Sequence, residues 1–466
     1  MKIPEAIANA LANGDESRLR GICDELHPAD AAAAFTALDE NQQLRFAQYL
    51  DNEALSLITS FLPAPETADL IAGLKREDQT VILESLPDDV VADVIQEADE
   101  NQQQTYVELL SEKKKDVAET LLGYPEDSAG GRMTTAFATL REDMTIRQAI
   151  EALEATKEDA EILARIYVVD EENRILGKVR LRDLTFNPRS AAIKDVMDHE
   201  KLAIRARDDQ EEALKMMVKY DMLALPVIDN DNRLLGIITH DDALEIQEEE
   251  STEDLEKAAA IFGERDEEGY LKSPVISHFK RRALWVFFLA IVAILSGLVI
   301  FHYESLLERV FILAVYMPMI VATGGNTGSQ AATMVIRAMS LGEFTPSEFL
   351  RVVWKELRIG LALGALLGVL IGLGSWVLIK VLISSETLVA MTDNHNLAAL
   401  VSVVGISLTL QVAASTFIGA ALPMLARSIK LDPAVVASPA ITTIVDVLGL
   451  LIYFSIATSM LSLGSG

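Results

Sequence analysis

Cys23 is the only cysteine among the 466 residues, so no disulfide forms within the chain and a reducing compartment fits it. The opening Met1-Lys2-Ile3-Pro4-Glu5 lacks the apolar core of a secretion signal, so the first part is expected to stay in the cytoplasm. Histidine is sparse as well. His27, His199, His240, His278, His302 and His395 are scattered without ligand spacing, and they build no zinc or nucleophile–histidine constellation. The Gly-x-x-x-x-Gly-Lys-Ser/Thr phosphate loop of ATPases is missing too. Basic residues are in short supply, with 40 Lys and Arg against 70 Asp and Glu, a net charge of −30. Such a surface repels phosphates, which excludes nucleic acid as a partner. The chain is therefore not read as an enzyme.

The charge is divided unevenly. From His278 onward there are nine acids and eleven bases, so the entire negative excess belongs to the preceding residues. That excess suits multivalent cations, or it is a soluble acidic surface.

Residues 1 to about 125 carry Leu26, Leu38, Leu50, Leu62, Leu74 and Leu86 at a spacing of twelve. Proline or an acid follows several of them, as in His27-Pro28, Asp39-Glu40, Asp51 and Pro63. Each unit reads as a short helix and a new capped start, and the stack as a superhelical domain. Residues from about 130 to 248 contain a duplication. Val168-Val169-Asp170-Glu171-Glu172-Asn173-Arg174-Ile175-Leu176-Gly177 returns 59 residues later as Val227-Ile228-Asp229-Asn230-Asp231-Asn232-Arg233-Leu234-Leu235-Gly236. Each copy reads as a strand, an acidic turn, a second strand and a helix. From Asp241 to Phe262 there is neither glycine nor proline, which predicts a charged connecting helix.

Five apolar spans follow, at about 283–301, 310–336, 359–382, 397–425 and 435–461. Lys280, Arg281, Arg282, Arg337, Arg351, Lys355, Arg358, Arg427 and Lys430 fall on one side, against Arg309 and Lys380 on the other. This places the N-terminus in the cytoplasm and the C-terminus outside. The second span contains Pro318, Gly324, Gly325, Asn326, Thr327, Gly328 and Gln330, and is expected to break its own helix and line a polar path. The third has Gly360, Gly364, Gly368 and Gly372 four apart, a close-packing scaffold face within one chain or at a subunit contact. In the fourth, Ser407, Thr409, Gln411, Ser415 and Thr416 are either interhelical bonds or lining.

Asp446 is the only charged residue from Pro433 to the C-terminus. An ionised carboxylate at membrane depth is expensive, and such residues face protein, water or a cation. It either glues helices together by hydrogen bonding or forms a cation site in a permeation path. Ser438 and Thr442 share its face at a spacing of four. This hydroxyl–hydroxyl–carboxylate stripe is expected to face Asn326 and Thr327.

The duplication, with Leu225-Pro226-Val227-Ile228-Asp229 and Thr239-x-x-Asp242, resembles a tandem pair of CBS domains. That resemblance implies adenine-nucleotide contacts at Thr239 and Asp242, with Arg180 replacing the threonine in the first copy. With Tyr124-Pro125-Glu126-Asp127-Ser128-Ala129-Gly130-Gly131-Arg132-Met133, Thr323-Gly324-Gly325-Asn326-Thr327-Gly328, Asp432-Pro433-Ala434 and Asp446-Val447-Leu448-Gly449-Leu450, the whole chain resembles the MgtE family of magnesium channels or transporters. Ser329 and Ser438 stand where some of that family carry asparagine. The resemblance implies a multidomain fold: an α-helical superhelical N domain (1–128), an α+β tandem CBS pair (129–240), a connecting or plug helix (241–272) and an all-α membrane domain of five spans (273–466). It implies a homodimer in the plasma membrane with Asp446 in a pore on the dimer axis, taking up Mg²⁺. It further implies regulatory Mg²⁺ at Asp89, Asp93, Asp221, Asp242, Glu245, Glu250, Glu253 and Asp254, and ATP at the CBS pair. Closely spaced carboxylates repel, and bridging divalent ions stabilise the compact state. The alternatives are a broader Co²⁺ or Mn²⁺ carrier and a membrane-anchored nucleotide sensor.

Overall fold

The computed structural model describes residues 3–155, 162–199, 202–263, 270–271, 273–382, 397–433 and 438–462. The start of the fifth expected span, 435–437, and part of the connecting segment, 264–269, lie outside the described residues. The chain forms two compact units, one of residues 1–250 with 266–272 and the other of 251–265 with 273–466.

In the first unit, the described residues 3–121 form ten short helices, from α1 (Ile3–Asn13) to α10 (Glu112–Leu121). From Pro28 onward they begin at Glu40, Asn52, Ala64, Arg76, Asp88, Glu100 and Glu112, a strict period of twelve. The residue before each start explains the punctuation. Asp39 makes a reciprocal capping box with Gln42, and Asp51 Oδ1 accepts from the Ala54 N–H at 2.8 Å. The Leu comb closes each helix and packs inward, with Leu38, Leu62, Leu86 and Leu110 all in the core.

The duplicated region folds twice into the same small sheet. Strand β1 (Phe137–Arg141) runs parallel to β2 (Ile162–Val169), which pairs antiparallel with β3 (Ile175–Val179). Strands β4 (Ile204–Arg205), β5 (Ala224–Ile228) and β6 (Leu234–Thr239) repeat the order. Both acidic turns use the same device. Asp170 Oδ1 accepts from the Glu172 and Arg174 N–H groups, and Asp229 Oδ1 from those of Asp231 and Arg233. Asn173 and Asn232 take left-handed φ values of 64° and 63°, which asparagine tolerates better than most residues. Ala92 of α8 (Asp88–Glu97) and Leu121 of α10 join the apolar core of the second copy, so the helical repeat and the sheet pair share one interior.

The connecting helix, α15 (His240–Ala258), stops four residues short of Phe262. The Ala260 N–H donates to the Lys257 carbonyl and the Ile261 N–H to the Glu256 carbonyl, with Ala260 left-handed at φ 60°. This is a Schellman closure built without glycine.

In the second unit, α16 (Val275–His302), α19 (Phe349–Leu382), α20 (Leu397–Ser428) and α21 (Ser438–Ser462) are long and apolar enough to cross a membrane over most of their lengths. Helix α18 (Ile312–Ser340) has the length, at 29 residues, but carries its polar residues mid-way. The expectation that this span breaks its helix is overturned, because α18 is continuous through Pro318 and all three glycines. Pro318 lies in the second turn, and the Thr323 and Thr327 hydroxyls donate back to the Met319 and Thr323 carbonyls at 2.7 and 2.9 Å. Glycine there serves close packing. The glycine comb of α19 abuts α20 of the same chain: a Cβ on Gly364 would lie 2.8 Å from the Thr409 carbonyl, and one on Gly372 3.3 Å from Val401.

Candidate ion path and acidic cluster

On α21, Ser438, Thr442 and Asp446 form one stripe, and α18 faces it. Ser438 Oγ donates to Ser329 Oγ at 2.7 Å, and Ser329 Oγ lies 3.3 Å from Thr442 Oγ1. A Cβ on Gly325 would stand 2.8 Å from Thr442 Cγ2 and 3.6 Å from Asp446 Oδ1. The side of α18 that meets the stripe is therefore Gly325 and Ser329, four residues apart. The expected partners sit elsewhere on the helix, because successive residues turn by about 100°. Thr327 is buried, its hydroxyl bonded to carbonyls of its own helix, and Asn326 is exposed in the single chain. Asp446 Oδ1 is buried and has no hydrogen-bond partner among the described residues. An ionised oxygen so placed is costly unless a cation or water meets it.

Of the five polar residues of α20, Thr409 and Gln411 bond to other helices, whereas Ser415 and Thr416 donate to carbonyls of α20 itself and Ser407 Oγ finds no partner among the described residues. Ser407, Gln411, Ser415 and Thr416 are all buried. Gln411 Nε2 donates to the Val445 carbonyl at 2.9 Å, and Thr409 Oγ1 to that of Gly364 at 3.1 Å.

In the first unit, Asp89 and Asp93 stand one turn apart on α8 and meet the start of α15. Burial, then the Asp242 charge, pushes the Asp89 carboxyl up to about 7. Burial also lifts Asp93 to about 7; Arg132 opposes this, while Asp89, Glu126 and Glu249 add to it. Asp242 and Glu245 are raised as well, chiefly by burial. Each of these groups resists becoming an anion where it stands. Asp89 Oδ1 is buried without a partner. Among the described residues, no three His, Cys, Asp or Glu side chains are grouped so as to hold a metal ion.

Two contributors to this cluster escaped the sequence reading, Glu126 and Arg132. Arg132 Nε donates to Gln210 Oε1 at 2.9 Å and its NH2 pairs with Glu249 at 2.5 Å, while Gln210 Nε2 donates to Glu250 Oε1 at 2.7 Å. Both sit in the Tyr124–Met133 stretch, which gave no hint of their long-range partners. The other named acids are placed differently. Asp221 is exposed and closes the C-terminus of α14 (Gln210–Tyr220) in a left-handed conformation, φ 50°. Glu253 pairs with Lys257 at 2.7 Å, and Asp254 is exposed on α15. Thr239 is buried, its hydroxyl bonded to Asp241 and Asp242 at 2.5 and 2.6 Å, and its N–H donates to Asp242 Oδ2 at 2.7 Å. In the first copy the Arg180 N–H donates to Asp183 Oδ2 at 3.2 Å.

Three family models match parts of the chain. Residues 317–456 match the family model described as MgtE, divalent cation transporter; 26–127 match the MgtE intracellular N domain; and 129–188 and 193–249 each match the CBS domain. The chain is 34% identical to a magnesium transporter MgtE of Thermus thermophilus, over 99% of both chains. The chain belongs to the MgtE family. A second MgtE magnesium transporter, from Bacillus subtilis, is 30% identical over 97% of this chain and 96% of that one. Among solved structures, the cytosolic domain of the Mg²⁺ channel MgtE in complex with ATP is 33% identical and covers 52% of this chain and 99% of its own, with a TM-score of 0.50. The MgtE family is one of transporters, which agrees with the non-enzyme reading.

Proposed function

We propose that this chain is a Mg²⁺-selective uptake channel of the plasma membrane, closed by Mg²⁺ on its cytosolic side. The observation that carries the transport reading is Asp446. It is an acid inside an apolar span, with one carboxylate oxygen buried and unpartnered, beside a hydroxyl stripe, in a chain similar along its whole length to magnesium transporters. Two subunits would bring two such carboxylates, with the exposed Asn326 and the Ser438–Ser329–Thr442 hydroxyls, around one ion. Mg²⁺ dehydrates reluctantly, so a carboxylate and hydroxyls suit it through retained water.

The acidic cluster supports the gating reading. Asp89, Asp93, Asp242 and Glu245 are held together although each is penalised as an anion, and divalent cations offset that repulsion. Glu250, Glu253 and Asp254 would extend the response along the connecting helix, and Asp221 would contribute from α14. Loss of Mg²⁺ would release the cluster and, through α15, the pore. Each bound ion shifts the gate only by its differential affinity for the closed state. ATP at Thr239 and Asp242 is proposed on the likeness to the ATP-bound relative.

Flux into liposomes tests the reading: Asp446→Asn should abolish Mg²⁺ entry, and millimolar Mg²⁺ on the cytosolic face should close the unmodified channel. The family description as a divalent cation transporter favours one competing reading, a broader carrier. A strong preference for Mn²⁺ or Co²⁺ over Mg²⁺ in the same assay would establish it. Unchanged flux in Asp446→Asn would remove the carboxylate from the ion path, and absence of Mg²⁺ flux in the unmodified protein would leave the CBS-based nucleotide sensor instead.

A further inference from the structure

Gln411 lies mid-way along α20 and is fully buried. Its amide occupies a slot between two helices, each of which offers a glycine. A Cβ on Gly324 of α18 would strike its Nε2 and come within 2.9 Å of its Cδ; one on Gly449 of α21 would likewise strike Nε2 and stand 2.7 Å from Cδ. Through that slot Nε2 reaches the Val445 carbonyl at 2.9 Å. The next residue on each helix belongs to the ion path: Gly325 follows Gly324, Asp446 follows Val445, and these two face one another. Gln411 Oε1 is buried and finds no donor among the described residues. A methionine or leucine would fill the slot without burying an unsatisfied oxygen, so packing alone does not account for an amide here.

We infer that Gln411 is a positioning residue for the transport carboxylate: its amide bond to Val445, admitted by Gly324 and Gly449, fixes the rotation and depth of Asp446 against Gly325. The inference rests on the proposed role of Asp446 in transport. The amide acts through the backbone of α21 and does not meet the ion. The carboxylate thereby keeps one orientation, which a hydrated ion of a particular size can recognise.

Mg²⁺ flux through the full-length protein in liposomes, measured against Mg²⁺ concentration and with Co²⁺ as competitor, tests this. Gln411→Met is expected to raise the apparent KM for Mg²⁺ by roughly 3–10-fold, the effect of one hydrogen bond, and to weaken the preference for Mg²⁺ over Co²⁺. A purely structural glutamine predicts the reverse pattern, fewer folded channels with KM and preference unchanged, and that result overturns the inference. Gly449→Ala is the second variant. Alanine is the better helix former, yet its methyl group displaces the amide, so the same change in KM and preference is expected in a protein that folds. If Gln411→Met does not fold, unchanged KM and preference in Gly449→Ala overturn the inference. Asp446→Asn run alongside separates the two claims. Full flux there defeats the transport role of the carboxylate; loss there with normal Gln411→Met kinetics defeats the positioning role alone.

Discussion

Lys257 Nζ, on the last turn of the connecting helix, lies 3.0 Å from Asp432 Oδ2, in the loop just ahead of the helix that carries Asp446. Burial draws down the Lys257 affinity for its proton, but hydrogen bonds to Glu253 and Asp432 more than reverse this and hold the ammonium charged. A second pair, Arg281 with Glu256, fastens the same helix end to the first span. Lys257→Met should therefore loosen the link from α15 to the pore. The pair is partly exposed and worth about 0.5–1 kcal/mol, so the Mg²⁺ concentration that half-closes the channel should rise by roughly 2–5-fold. Flux recorded at graded cytosolic Mg²⁺ measures it, and raised salt should reproduce part of the effect in the unmodified protein.

The acidic cluster predicts a pH dependence with a definite sign. Asp89 and Asp93 are both raised to about 7 in the folded arrangement, against about 3.9 in an unfolded chain. The folded state thus holds protons that the unfolded state releases, so the contribution of these two groups to stability is greatest below pH 4 and falls as pH rises toward about 7. Without Mg²⁺, cleavage of the cytosolic region by a protease should be slower at pH 5.5 than at pH 8. Each 1.4 kcal/mol of penalty corresponds to about tenfold easier opening. Millimolar Mg²⁺ should flatten the profile, and Asp89→Asn with Asp93→Asn should make the region resistant without Mg²⁺.

Gly325→Ala isolates the geometry of the ion path. The new methyl group meets Thr442 Cγ2 at 2.8 Å and approaches Asp446 Oδ1 at 3.6 Å. Helix propensity favours alanine by about 1 kcal/mol, so the melting temperature should hold or fall only slightly. Mg²⁺ flux should drop by about tenfold, the effect of about 1.4 kcal/mol at the ion.

Gly364→Val tests the scaffold. Its Cβ would stand 2.8 Å from the Thr409 carbonyl and 2.9 Å from the Thr409 Cα, backbone atoms that cannot swing aside. Overpacking of this kind costs about 1–3 kcal/mol, read as a lower melting temperature and a smaller yield of folded protein.

Periodic features were legible in the sequence and long-range ones were not. The twelve-residue leucine comb, the duplicated acidic turn and the four-residue stripe of Ser438, Thr442 and Asp446 each depend on spacing along one element. The pairing of that stripe with Gly325 and Ser329, rather than with Asn326 and Thr327, depends on how α18 is rotated against α21. The glycines of α18 were misread as a break because glycine and proline do end helices in water. Between packed helices the same residues admit close neighbours, and threonine hydroxyls return to the backbone of their own helix. Arg132 and Glu126 joined the acidic cluster through partners up to 117 residues away, a distance that no local pattern encodes.

The repeat that begins at Pro28 makes chain length in this region quantised. Asp89 and Asp93 belong to the sixth unit counted from there. Loss or gain of a pair of these units upstream would leave every later helix packed on the same neighbours, and the two carboxylates would still meet α15. A single residue inserted within α8 between them would turn one past the other by about 100° and divide the pair. The leucines that close successive helices alternate between full burial (Leu38, Leu62, Leu86) and partial burial (Leu26, Leu50, Leu74), so the arm can lengthen or shorten only by whole helix pairs if its interior and the response to the ion are both to be kept.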